Sequence, residues 1–150
     1  MYLSYNGKKT ESEIKNSIQP ITLKHIEGNP DSGSMLIKGD NLRVMKYLIE
    51  ERGLKNSIDL VYIDPPFSTK NVFTIDSDKA NTISRSANGT IAYDDNLSDE
   101  EYLEFLRSRL LLIKDLMSDR ASIYLHIDYK IGHYVKIIMD EVFGRENYLS

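Results

Sequence analysis

Asp64-Pro65-Pro66-Phe67 gathers a carboxylate, a conformationally restricted carbonyl and a flat aromatic ring in four consecutive residues. It follows Ile58-Asp59-Leu60-Val61-Tyr62-Ile63, a β-branched and aromatic run that reads as a strand. In open α/β sheets ligands bind outside the carboxyl ends of the strands. The plain structural reading is a strand ended by a rigid turn, since proline terminates strands and presets the backbone. The chemical reading is a site for an exocyclic amine such as that of adenine, whose lone pair is delocalised into the ring. Two acceptors holding its two N–H groups favour rehybridisation and leave the lone pair aimed at a methyl donor. Asp64 offers the carboxylate, Pro65 a carbonyl whose direction Pro66 restricts, and Phe67 an apolar face for a base taken out of its stack. Asp64 needs no strong basicity, because the nitrogen becomes acidic once methylated.

Other polar residues carry two readings each. His126 and Asp128 lie two apart on a run that reads as a strand, hence on one face of it. A metal site there needs a third ligand, for which His133 is only a guess, and structural hydrogen bonding is the stronger reading. Lys70, Asn71 and Arg85 lie in or beside a long polar stretch, able to touch phosphate or a flipped base, or else simply solvated.

The elements that must position these groups are legible in outline. Residues 1–33 show no sustained period and are expected to be an extension that packs through Ile21, Leu23 and Ile26, or stays partly mobile. Met35-Leu36-Ile37 reads as a short strand ending at Gly39-Asp40. A helix is predicted from Asn41 to about Arg52, with Leu42, Met45, Leu48 and Ile49 at helical spacing and Gly53 at its C-terminal cap. Ser68–Leu97 is polar and without a dependable period, a long loop of a kind that is usually functional or disordered. Ser98 and Glu101 have capping-box spacing before a helix striped by Tyr102, Phe105, Leu106, Leu110, Ile113 and Leu116-Met117. Ala121–Ile127 reads as a third strand, and a last helix runs from about Gly132 to Phe143 with Gly144 as its stop. The order predicts an α/β fold with parallel strands flanked by helices. Three strands are few for a free-standing sheet, so residues 34–150 are expected to form part of a domain.

Composition narrows the classes. The 150 residues are 41% hydrophobic and 28% charged, as in an ordinary globular protein, and contain no cysteine for disulfides or thiolate metal sites. No apolar run approaches a membrane span and no signal segment is visible, so a cytoplasmic location is the simplest expectation. The net charge of -4 leaves little basic surface for phosphate, with Lys8-Lys9 and Arg107-Arg109 the nearest to clusters.

The set of motifs resembles the β-type adenine-N6 DNA methyltransferases. The resemblance rests on Asp64-Pro65-Pro66-Phe67 and on Leu36–Asn41, Glu101–Leu110, Ser122–Asp128, Gly132-His133-Tyr134 and Asp140–Gly144 in the same order, across residues 34–150. It implies a Rossmann-like methyltransferase fold with an incomplete sheet, S-adenosylmethionine as cofactor, and a flipped adenine in DNA as substrate. It further implies Asp64, Pro65, Pro66 and Phe67 as the catalytic motif, Asp40 and Asp64 as cofactor contacts, and Phe67, Lys70 and Asn71 as substrate contacts. Asp40 also suits a helix N-cap. The aspartate that opens the motif is more typical of adenine-N6 than of cytosine-N4 enzymes; cytosine-N4 methylation and a non-catalytic partner subunit are the alternatives. No Gly-x-Gly occurs, whereas the family carries a glycine-rich cofactor motif. The expectation is a catalytic half, inactive alone, whose partner is a C-terminal half or separate subunit bearing that motif and target recognition.

Overall fold

The computed structural model describes residues 2–29, 33–65, 72–76, 79–81, 90–94 and 99–149. Its helices and strands lie around one central helix, Asp99–Leu116. These are α1 (Glu11–Ser17), α2 (Asn41–Glu50), β1 (Ile58–Ile63), β2 (Val72–Asp76), β3 (Lys79–Asn81), β4 (Thr90–Asp94), α3 (Asp99–Leu116), β5 (Met117–Leu125) and α4 (Tyr129–Phe143), followed by a 3₁₀ turn at Arg145–Asn147. Tyr102, Leu106 and Leu110 of α3 and Val135 and Ile138 of α4 are almost wholly buried. Each such side chain contributes roughly 1.5–3 kcal/mol by leaving water. Ile14 of α1 joins the same core.

β1 and β5 form a two-stranded parallel sheet, the α/β core that the chain's pattern predicts. Val61 faces Ile123 and Ile63 faces Leu125, and all four pack onto the helical core. Because side chains alternate along a strand, Leu60, Tyr62 and Tyr124 point the other way and are exposed. At the amino end the register breaks. Ile58 pairs with Met117 but Leu60 with Ser122, so Asp59 lies opposite a bulge at Ser118–Ala121.

Several local expectations change. Met35-Leu36-Ile37 is not a strand: it pairs with no neighbour among the described residues, and Leu36 is fully exposed. The N-terminal segment packs through Ile14 of α1 and Ile18, its C-cap, while Leu23 and Ile26 are exposed. α1 forms despite its seven residues because Thr10 and Glu13 make a reciprocal capping box. Residues 3–9 are then clasped by half-buried carboxylates. Glu141 accepts from the Leu3 N–H and from Lys8 Nζ at 2.7 Å; Glu104 accepts from Tyr5 Oη at 2.6 Å and Arg107 Nη1 at 3.1 Å. Within Ser68–Leu97 the described residues include β2, β3 and β4, an antiparallel sheet in the order β3-β2-β4. β5 starts at Met117, ahead of the expected Ala121, and α4 starts at Tyr129, ahead of Gly132. Gly144 ends α4 as expected, with φ 93° and its N–H bonded to the Asp140 carbonyl at 3.0 Å. The α2 cap falls earlier than Gly53, at Glu51; Gly53, with φ 64°, instead lets the chain turn so that Leu54 N–H reaches the Leu48 carbonyl.

Candidate active site

The carboxyl ends of β1 and β5 bring Asp64 and His126 together. The His126 backbone N–H donates to the Ile63 carbonyl at 2.9 Å, extending the parallel ladder one step past Leu125. That step fixes register, and the two-residue period does the rest: Asp64 follows Tyr62 and His126 follows Tyr124 on the outward face. Their side chains meet, with His126 Nδ1 3.0 Å from Asp64 Oδ1. Pro65, next in the alternation, is buried, and Ile127 packs on the core. The tip is therefore anchored by an inward proline while its carboxylate is presented outward, with 60% of the side chain exposed. An exposed pair of this kind is worth at most about 1 kcal/mol to stability.

Asp128 does not share a strand face with His126. It is the N-cap of α4, its Oδ1 accepting from the Lys130 N–H at 2.7 Å. His133 lies on the exposed side of that helix. Pro66, Phe67, Lys70, Asn71 and Arg85 lie outside the described residues.

Asp40 caps α2, its Oδ1 accepting from the Leu42 N–H at 2.9 Å. Its second oxygen takes no hydrogen bond among the described residues. Arg109 of α3 reaches the same cap: Nη2 lies 3.5 Å from Asp40 Oδ1 and Nε donates to Asn41 Oδ1 at 2.9 Å. The guanidinium lies over the Phe105 ring, 3.6 Å from its centre, so the arginine is held flat while it bridges the two helices. No hydrogen bond joins the Asp40 and Asp64 groups among the described residues. Arg109 was visible in the sequence only as half of a basic pair, and His126 only as a residue for structural hydrogen bonding near the sheet edge, without Asp64 as its partner.

Among the described residues, three of the four basic side chains in the two clusters are engaged within the protein. Lys8 pairs with Glu141, Arg107 with Glu104 and the Lys9 carbonyl, and Arg109 with the α2 cap. A cleft of about 450 Å³ lies at the opposite end of the strands around Asp59 and Arg120, and one of about 1070 Å³ runs beside β5 and α4; neither is lined by Asp64 or His126. The chemistry of the residues identifies this site.

A family described as DNA methylase matches residues 58–150, from the first residue of β1 through the strand tip and α4. The chain belongs to the DNA methylase family. Among its relatives, the type II methyltransferase M.EcaI of Enterobacter cloacae is 30% identical over 99% of this chain, which spans 31% of that protein. The type III restriction-modification enzyme EcoP15I Mod subunit of Escherichia coli is 31% identical over 83% of the chain, matching 21% of its own length. The probable type III restriction-modification enzyme HindVI Mod subunit of Haemophilus influenzae is 30% identical over 97% of the chain and is matched over 16%. This DNA methylase chain thus spans less than a third of each of these relatives, and its match includes Asp64 and His126. No helix among the described residues is long and apolar enough to cross a membrane.

Proposed function

We propose that this DNA methylase chain provides the catalytic face of a site-specific DNA adenine-N6 methyltransferase of a restriction-modification system. The observation that carries the reading is the outward carboxylate of Asp64 at the carboxyl end of a parallel strand, followed at once by Pro65-Pro66-Phe67, within a family match that begins at Ile58. The aspartate that opens the motif favours adenine over cytosine as the base.

In this reading Asp64 and the Pro65 carbonyl accept the two N–H groups of the amine and so direct its lone pair. Pro66 limits the carbonyl's rotation, Phe67 supports the flipped base, and Lys70 and Asn71 contact the nucleotide. S-adenosylmethionine, when bound, supplies an electrophilic methyl group. Asp40 suits a hydroxyl of that cofactor's adenosine, because one carboxylate oxygen caps α2 and the other takes no hydrogen bond among the described residues. Asp40 and Asp64 amount to one wall of a cofactor site, whereas good small-molecule sites bury about 70–90% of the ligand.

The same reasoning extends to architecture. We read residues 1–33 as an extension and residues 34–150 as part of a Rossmann-like domain. Parallel sheets are ordinarily covered on both faces, while Leu60, Tyr62 and Tyr124 stand exposed here. The glycine-rich cofactor motif and target recognition then come from sequence corresponding to the remainder of the relatives, in one chain or a second subunit. The net charge of -4 fits this division, since phosphate contacts need clustered cations that this part lacks.

The test is product identity. The complete protein or assembled pair is incubated with DNA and methyl-labelled S-adenosylmethionine, and the DNA is digested to nucleosides. Label in N6-methyladenine is expected; label confined to N4-methylcytosine overturns the choice of base, and no transfer overturns the activity.

A further inference from the structure

We infer that His126 is the positioning residue for Asp64: its Nδ1–H holds one carboxylate oxygen so that the other is presented to the substrate amine. The inference rests on the catalytic reading of Asp64 above and goes beyond it, by naming the group that sets the carboxylate's rotation.

The geometry separates this from an incidental surface contact. Asp64 is the first residue beyond β1, and its side chain is 60% exposed, so packing does little to select a carboxylate rotamer. Rotation about the terminal sp³–sp² torsion is broad, and a freely turning carboxylate presents its acceptor lone pairs in many directions. His126 supplies what packing does not. Its backbone is fixed to β1 by the 2.9 Å bond from its N–H to the Ile63 carbonyl, and Asp128, two residues on, is committed as the N-cap of α4. The imidazole is therefore carried on a backbone held on both sides, and its Nδ1 lies 3.0 Å from Asp64 Oδ1. An ionised carboxylate only accepts, so the imidazole must carry its proton on Nδ1, leaving Nε2 directed away from the pair. Asp64 Oδ2 makes no hydrogen bond among the described residues and is the oxygen left for substrate. An acceptor set for an amine with two N–H groups gains most from fixed directions, because misplacement of about 1 Å can cost on the order of 100-fold in rate.

The atom named makes the test sharp. Asparagine carries its amide nitrogen one bond beyond Cγ, where imidazole carries Nδ1, whereas glutamine carries it one bond further, near the place of Nε2. His126→Asn is therefore expected to keep most of the activity, while His126→Gln and His126→Ala lose roughly 10- to 100-fold in kcat. KM for DNA and for S-adenosylmethionine should stay near wild type in all three, since none of them removes a proposed contact to either. The four proteins are assayed for methyl transfer as the complete enzyme beside Asp64→Ala, with thermal melts to compare folding. Wild-type kcat in His126→Ala, or equal losses in the Asn and Gln variants, overturns the positioning role. Loss of transfer in Asp64→Ala together with an unimpaired His126→Ala rejects only this inference. Full activity in Asp64→Ala rejects the catalytic reading beneath it. The Asn and Gln variants differ by one methylene, so their comparison holds even if the Ala variant folds poorly.

Discussion

The two ends of the β1–β5 pair each join an aspartate to a basic side chain across the strands, and they do so differently. At the amino end, Asp59 Oδ2 accepts from Arg120 Nη2 at 2.9 Å, while Oδ1 accepts from Arg120 Nε at 3.2 Å and Ser118 Oγ at 2.5 Å. At the carboxyl end, the Asp64 side chain has one bond among the described residues, to His126, and its other oxygen takes none from them. The first carboxylate is saturated, and Arg120 and Ser118 hold it below the usual carboxylate range. It closes a bulge where the register slips. The second is fixed at one oxygen and available at the other, at the end of a parallel sheet where backbone geometry leaves room for ligand. A carboxylate's capacity for chemistry is set here by how many of its acceptor positions the protein itself occupies.

The contrast is broken most forcefully by removing what both ends share. Leu110 is fully buried in the core on which the inward residues of β1 and β5 rest. Leu110→Ala is expected to cost about 2–5 kcal/mol in chemical denaturation and to loosen both ends together. A smaller change should act on one end only. Asp128→Ala removes the α4 cap two residues beyond His126, for about 1 kcal/mol. Amide exchange should then quicken in the first turn of α4 while Ser118–Arg120 is unaffected. The smallest effect belongs to the saturated end. Because the folded state lowers the Asp59 pKa, its contribution to stability is present above the ordinary carboxylate range and disappears as pH falls below it. Asp59→Asn should leave transfer at neutral pH unchanged while removing this small contribution above the carboxylate range, so that stability falls less steeply on acidification.

Much of this arrangement was legible in the sequence where the signals are local. The Asp40 cap and the spacing of Leu42, Met45, Leu48 and Ile49 announced α2, the apolar stripe announced α3, and Gly144 announced the end of α4. The failures share a cause. Met35-Leu36-Ile37 has a strand's composition, but a strand exists only through a partner, and none is supplied by the described residues. Ser118-Asp119-Arg120 is too polar to read as strand because it forms a bulge. Gly132, a poor helix former, hid only the first turn of α4, whose cap is Asp128. The opposition of Asp64 and His126 depends on the register of two strands whose tips are 62 residues apart, which no local pattern encodes.

The central claim is that the open carboxylate, not the saturated one, does the chemistry. It is tested most directly by labelled methyl transfer to DNA from the complete protein carrying Asp64→Ala or Asp59→Ala, each checked for folding by its thermal melt. Transfer is expected to fall on the order of 100- to 1000-fold in Asp64→Ala, the scale seen when a group that stabilises the transition state is removed, and to stay near wild type in Asp59→Ala. Comparable transfer by the two variants would contradict it.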